Sequence, residues 1–362
     1  MSSRFIIQPD HPLYIRAAKR EAKTWGRASA QVTRSKRPRD HPLVKKYLSG
    51  LITDKANDND WVTWFMEQVG PFNSALSLGS GTGRVEEKML RSGLFKRLEV
   101  VDISGSAVEE FQHRLSDSGI GTAVSSRIAD LNFIELPRKS YDFILAHTSL
   151  HHIINLEHLL EEVRRALVPG GLFLVYDFIG PSGWQWSYET LEEVNRALEL
   201  SRGRFPNLGI NLTKIPDHKQ VKALSPFEAV RSGELLELIN HGFEPRLEVL
   251  TDRLLHIILH YGANMSDWDN PDLNKWLQEM IEWEDSLKQG GEIPPYTLWG
   301  AYYPGSKPLP LPQRLTEKEI QQKIGVSRFF PKGLMLDLMD KMPFREKLIW
   351  RWMHFKHKYG KY

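Results

Sequence analysis

The stretch that most constrains this chain is Ala75–Arg84, ALSLGSGTGR. A short apolar run breaks into glycines at alternate positions, Gly79, Gly81 and Gly83. The run reads as a buried strand, and the glycines as a turn where a ligand can approach the backbone closely. Val85–Leu94 has helical composition, so the unit is strand, glycine loop, helix. Such a unit sets backbone N–H groups and a helix N-terminus beside a nucleotide-like ligand. A GxGxG loop on its own is a weak signal; the segments that follow it strengthen it.

A second strand, Leu98–Ile103, carries Asp102, which stands 19 residues beyond Gly83. That is close to the ~20-residue offset at which an acid meets ribose hydroxyls in dinucleotide-type folds. The residue type fits, because a carboxylate accepts two hydrogen bonds from a vicinal diol. Ser126–Ala129 then leads into Asp130, suited to an adenine amino group, and Leu131. Tyr141–Ala146 forms a fourth strand that ends at His147. A helix spans about Leu156–Leu167, and Pro169-Gly170-Gly171 turns the chain into a fifth strand, Leu172–Phe178.

In order and spacing, LSLGSGTG, VVDIS, ADLN, YDFILAHTSLHHI and RALVPGGLFLVYDF resemble the class I S-adenosylmethionine-dependent methyltransferases, over about residues 47–304. The third glycine discriminates: a dinucleotide dehydrogenase wants GxGxxG, and here Arg84 fills the later position. The resemblance implies an α/β fold, a Rossmann-like seven-stranded sheet with helices on both faces. Helical insertions and a C-terminal helical appendage would be added to it. It implies S-adenosyl-L-methionine as cofactor, bound by Gly79, Ser80, Gly81, Gly83, Asp102, Ile103, Asp130, Leu131 and, through its backbone, His147. One position departs from the family. An acid usually stands two residues before the first glycine, where it helps hold the methionine amino group, and here that residue is Ser77.

Charge is laid out unevenly. Residues 16–46 hold eleven Lys/Arg against two acids, and residues 341–362 hold seven against one, in a chain of net charge +3. The body between these basic ends is therefore net acidic. Zero cysteines exclude disulfides and thiolate metal sites and fit a reducing compartment. No apolar run approaches a membrane span, and MSSRFIIQPD has no signal-peptide core. The expected location is the cytoplasm, with membrane association through the C-terminal end as an addition.

Three regions are expected: residues 1–60, an N-terminal helical lid with a basic loop; residues 61–304, the methyltransferase domain, with a helical insert at about 252–290; and residues 305–362, a basic, aromatic-rich helical extension. Ser225–Ile239 reads as one helix and resembles a helix of a bacterial branch of the family. Phe243–Leu250 and Tyr296–Tyr303 read as the sixth and seventh strands, the seventh lying antiparallel between the fifth and sixth. In the extension, Phe344, Leu348, Trp352, Phe355 and Tyr359 form an aromatic stripe flanked by cations. It suits docking on the protein's own body, a membrane surface or a second copy.

Methyl transfer from a sulfonium is an in-line displacement in which the protein aligns the nucleophile and excludes water. An oxygen acceptor of high pKa also needs a base, and histidine is the usual choice near neutral pH. His151 and His152, just after the fourth strand, are the base candidates, with Asp177 to orient one of them. Trp184 and Trp186 either line the acceptor pocket or pack a loop down. No metal is expected. The acceptor expected is a small molecule or glycan, methylated on O or N. The alternatives are a nucleic-acid methyltransferase using the basic ends, and a non-catalytic partner protein retaining the fold. Nucleic acid is not the favoured partner, since no RNA-binding signature accompanies the charge.

Overall fold

The computed structural model describes residues 4–32, 38–53, 61–93, 95–118, 124–262, 267–290 and 293–325. The aromatic stripe at 344–359 lies outside them. The glycine unit forms as read: β1 (Ala75–Leu78), fully buried, then the loop, then α4 (Arg84–Arg91). Further strands are β2 (Leu98–Asp102), β3 (Val124–Ile128), β4 (Tyr141–His147), β5 (Leu167–Phe178), β6 (Phe243–Thr251) and β7 (Thr297–Pro304). They make one seven-stranded sheet in the order β3-β2-β1-β4-β5-β7-β6. The first five are parallel, and β7 runs antiparallel to both β5 and β6. This is the α/β topology that the resemblance implies. The strand order reverses beside β1, which opens a crevice at the carboxyl ends of β1 and β4.

Strand alternation builds two cores, one on each face of the sheet. Leu76, Leu78, Ile144, Ala146, Phe173 and Val175 pack with α6 (Leu156–Ala166) and α9 (Ser232–Gly242). Ala75, Val100, Phe143, Leu145, Leu172 and Leu174 face the other way. They pack with α3 (Trp61–Val69), α4 and α5 (Gly105–Ser118). Fully burying one such side chain contributes about 2 kcal/mol.

Two helical additions flank the sheet. Helices α2 (Pro42–Thr53), α7 (Tyr188–Arg204), α10 (Leu255–Tyr261) and α11 (Pro271–Gly290) share a core centred on Trp186, Trp276 and Tyr296. On the other side α1 (Pro12–Val32) packs with α5, α8 (His218–Leu224) and α12 (Glu317–Ile324). Its Tyr14 and Ala17 join Ile7, Phe227, Ile320 and Ile324 in a fourth core.

Two local readings are corrected. Residues Pro169-Gly170-Gly171 lie inside β5, where they shift its register on β4, rather than preceding the strand. Ser225–Ile239 is not one helix: residues 226–229 are a turn, and α9 starts at Ser232. The turn holds because its backbone is captured from outside. Phe227 N–H donates to Glu21, Val230 N–H donates to the His151 carbonyl, and Ala229 sits at φ 48°. Helix α8 was missed by the sequence reading.

Candidate functional site

The glycines bend the chain at the end of β1 with φ of 70°, 53° and 65° for Gly79, Gly81 and Gly83, a left-handed conformation that side chains resist. Gly79 and Gly83 also need their small size, since a Cβ would strike Ser149 in one case and the Phe111 ring in the other. Gly81 is different: nothing lies within 4 Å of where its Cβ would stand. The backbone there is bare toward the crevice. Asp102, buried at the end of β2, anchors the loop by accepting Gly81 N–H at 2.8 Å and Ser104 N–H at 2.7 Å. Burial pushes its carboxyl up and these amides oppose the shift.

Asp130 accepts from Asn132 N–H at 3.0 Å and from the Tyr14 hydroxyl at 2.6 Å, so α1 is fastened to this end of the crevice. Leu131 lies beside Gly79. His147, at the end of β4, stacks on Tyr176 and Trp61 with ring centroids 5.1 and 6.5 Å away. The Ser80 hydroxyl is buried without a hydrogen-bond partner in the same loop.

The second half of the site starts at Ser149. Its hydroxyl donates to the Leu78 carbonyl at 2.7 Å, and its N–H donates to Asp177 at 3.0 Å. Asp177 is fully buried and also accepts from the N–H groups of Leu150 and Phe178 and from His151 Nδ1. His151 Nε2 lies 3.5 Å from Glu228. Burial disfavours the charged imidazole, yet Asp177 and then Glu228 outweigh it, and the His151 pKa is pushed up to about 10. His152 stacks against His151, its Nδ1 2.9 Å from Glu21 and its ring edge-on to Trp25. Burial acts to raise Glu228, and the two imidazoles overcome it, drawing the carboxyl below its ordinary value.

A Methyltransferase domain model matches residues 76–175, which run from β1 into β5 and hold the glycine loop, Asp102, Asp130 and the two histidines, while Asp177, Glu228, Glu21 and Tyr14 lie outside it. Residues 76–175 are a methyltransferase domain of the class I S-adenosylmethionine-dependent kind. Three curated relatives are similar to parts of this chain. The ubiquinone/menaquinone biosynthesis C-methyltransferase UbiE of Hydrogenovibrio crunogenus is 24% identical, over 43% of this chain and 65% of its own length. The 27-O-demethylrifamycin SV methyltransferase of Amycolatopsis mediterranei is 26% identical, over 48% of this chain and 68% of its own. The mitochondrial arginine-hydroxylase NDUFAF5 of Rattus norvegicus is 24% identical, over 77% of this chain and 64% of its own. Their names differ in reaction and acceptor.

For this methyltransferase the structure brings together the expected residues in two groups. Gly79, Ser80, Gly81, Gly83, Asp102, Asp130 and Leu131 surround the loop, with Ile103 next to Asp102 in sequence. His151, His152 and Asp177 gather beyond Ser149, and His147 stands at the end of β4. The bare Gly81 backbone and the orphaned Ser80 hydroxyl fit a cofactor laid along the loop.

Four functional groups were missed in the sequence. Glu86, in the first turn of α4, accepts the Ser77 hydroxyl at 2.6 Å, both side chains being buried. Burial pushes its carboxyl up to about 7. A carboxyl group therefore stands where Ser77 leaves one lacking. An acid in the first turn after the glycines was the available signal. Tyr14, Glu21 and Glu228 gave none, since each meets the site through the tertiary fold. The two tryptophans divide. Trp186 is buried against Tyr296, whereas half-buried Trp184 stacks on Phe178 at 4.4 Å and lies 6.3 Å from His151.

Proposed function

We propose that this chain transfers a methyl group from S-adenosyl-L-methionine to an O or N atom of a small-molecule or carbohydrate acceptor. The observation that carries the reading is the continuous path from Asp102 through the glycine loop to Ser149, His151 and His152. It runs from a diol-binding acid to a histidine pair along the crevice of one sheet. Bound here, the cofactor supplies a methyl group made electrophilic by its sulfonium. The protein's part is to bind and align. Asp102 receives the ribose hydroxyls, Asp130 the adenine side, and Glu86 the methionine ammonium in place of the missing acid at Ser77. The loop N–H groups and the uncapped N-terminus of α4 receive the carboxylate.

The acceptor lies against His151, His152 and the face of Trp184, a surface suited to a sugar or aromatic ring. Its proton passes into the imidazole–carboxylate cluster. Both ring nitrogens of His151 face carboxylates, Asp177 and Glu228, so within the pair His152 takes the base role and His151 the orienting one. Two cations of the basic N-terminal segment are taken up by the protein itself. Arg39 pairs with Asp252 at 2.7 Å and bonds Tyr176, and Arg20 donates to the Ala223 carbonyl. These two are therefore spent on the fold rather than offered to a phosphate backbone.

Calorimetric titration of S-adenosylmethionine and its demethylated product tests the cofactor half. Asp102→Ala is expected to weaken both tenfold or more, on the order of 1.4 kcal/mol. No binding by the wild type would end the proposal. Methyl transfer from labelled cofactor to phenolic, amine and glycan panels tests the acceptor class.

A further inference from the structure

Five ionisable side chains converge where β4 and β5 end: the carboxylates of Glu21, Asp177 and Glu228 and the imidazoles of His151 and His152. Three carboxylates against two imidazoles leave the group negative even with both rings charged. The elements holding them are rigid and distant in sequence. Asp177 ends β5, Glu21 comes from α1, and Glu228 comes from the turn before α9, whose Val230 N–H is bonded to the His151 carbonyl. One ring nitrogen from each histidine and one Glu228 oxygen lie within 4.8 Å of one another. His152 Nδ1 is buried and lies near Glu21, yet it makes no hydrogen bond.

We propose that His151, His152 and Glu228 bind a divalent transition-metal ion, with Asp177 as the partner that orients His151. Two imidazoles and one carboxylate are the donor set of zinc and non-haem iron sites that keep coordination positions open. Ligand atoms at about 2.1 Å from a tetrahedral ion stand roughly 3.4 Å apart. His151 Nε2 and Glu228 are already at 3.5 Å, and the rest of the set, within 4.8 Å, closes by at most about 1.4 Å. The Asp177 contact holds His151 Nδ1–H and turns Nε2 toward Glu228, the carboxylate–histidine arrangement that fixes a ligating ring. On the methyltransferase reading above, an acceptor oxygen takes an open position. The ion would lower that oxygen's pKa, and in the metal-loaded form this replaces the base role given above to His152.

The test uses the full chain, stripped of metal by a chelator and titrated with Co²⁺, while its ligand-field absorption is followed. One saturating equivalent, displaced by Zn²⁺, is expected. Glu228→Gln and His152→Gln should each weaken it tenfold or more, and His241→Gln, far from the cluster, should leave it unchanged. Absence of saturable binding, or equal affinity in Glu228→Gln, overturns the site. Should the variants not fold, X-ray absorption of the Co²⁺-loaded wild type decides: two imidazole ligands support the assignment, and none or one refutes it. Cofactor titration of the same stripped protein separates the two readings. Metal binding without cofactor binding sustains this site and ends the methyltransferase proposal, and the reverse result does the opposite.

Discussion

Glu86 carries the cofactor end of the pocket at the scale of single residues. Its carboxyl is buried against Ser77, with Asp102 repelling its charge and Arg114 favouring it. Raised from 4.5 to about 7, it holds its proton in the folded chain over a range where the unfolded chain has lost it. Below pH 4.5 the group is protonated in both states, and its contribution to stability is fully present. That contribution, at most about 3 kcal/mol, is lost as pH rises through about 7. The melting temperature of the cofactor-free chain should therefore fall across this window, and Glu86→Gln should flatten that segment. An equal slope in the variant would refute the assignment. A cofactor ammonium reverses the preference by stabilising the carboxylate, so binding releases a proton near neutral pH. The glycines and Asp102 were legible in the sequence because loop and acid follow each other at a fixed offset. Glu86 was marked only by its place in the first turn after the glycines; its pairing with Ser77, nine residues away, carries no pattern until the helix folds one over the other.

Element boundaries decide how the histidine end is assembled. Arg231, the residue before α9, donates to both Glu157 oxygens at 2.7 Å, to Glu234 and to the Ile154 carbonyl. It ties the segment after β4 to the start of α9. Arg231→Met leaves Glu157 buried and unpaired, an expected loss of about 3–5 kcal/mol in denaturant unfolding. Adding Glu157→Leu should restore much of it, and a double variant no more stable than the single would contradict the pairing. Strands β1, β2, β4, β6 and β7 and most helices could be read from apolar runs and periodicity. The break at 226–229 could not, because its cause is a set of acceptors on α1 and after β4. That break delivers Glu228 to His151, so the sequence could not show the proposed metal-ligand set either.

In the whole molecule, two sheet cores fix the crevice and α1 lies across it. From Tyr14 on Asp130 to Glu21 and Trp25 beside His152, one helix touches the adenine end and the acceptor end. On the proposed reading this helix covers a bound cofactor, so the demethylated product should slow amide hydrogen exchange in residues 12–26. The remote α7–α11 wall should change little; equal slowing in both would argue against a covering role. Among the described residues no helix is long and apolar enough to cross a membrane. The fold was legible because the strand order follows from motifs in series. The covering helix left only a basic, helical composition as its trace.

Ser149 joins the two halves of this site. Its Cβ lies 2.5 Å from where a Gly79 side chain would begin, its hydroxyl holds the end of β1, and its amide holds Asp177. A ligand that settles the glycine loop therefore also settles the histidine end, and the second ligand meets a surface already ordered. Thermodynamic reciprocity then makes each ligand strengthen the other by the same factor. On the proposed methyltransferase reading, cofactor and acceptor are therefore expected to load cooperatively, each raising the affinity measured for the other.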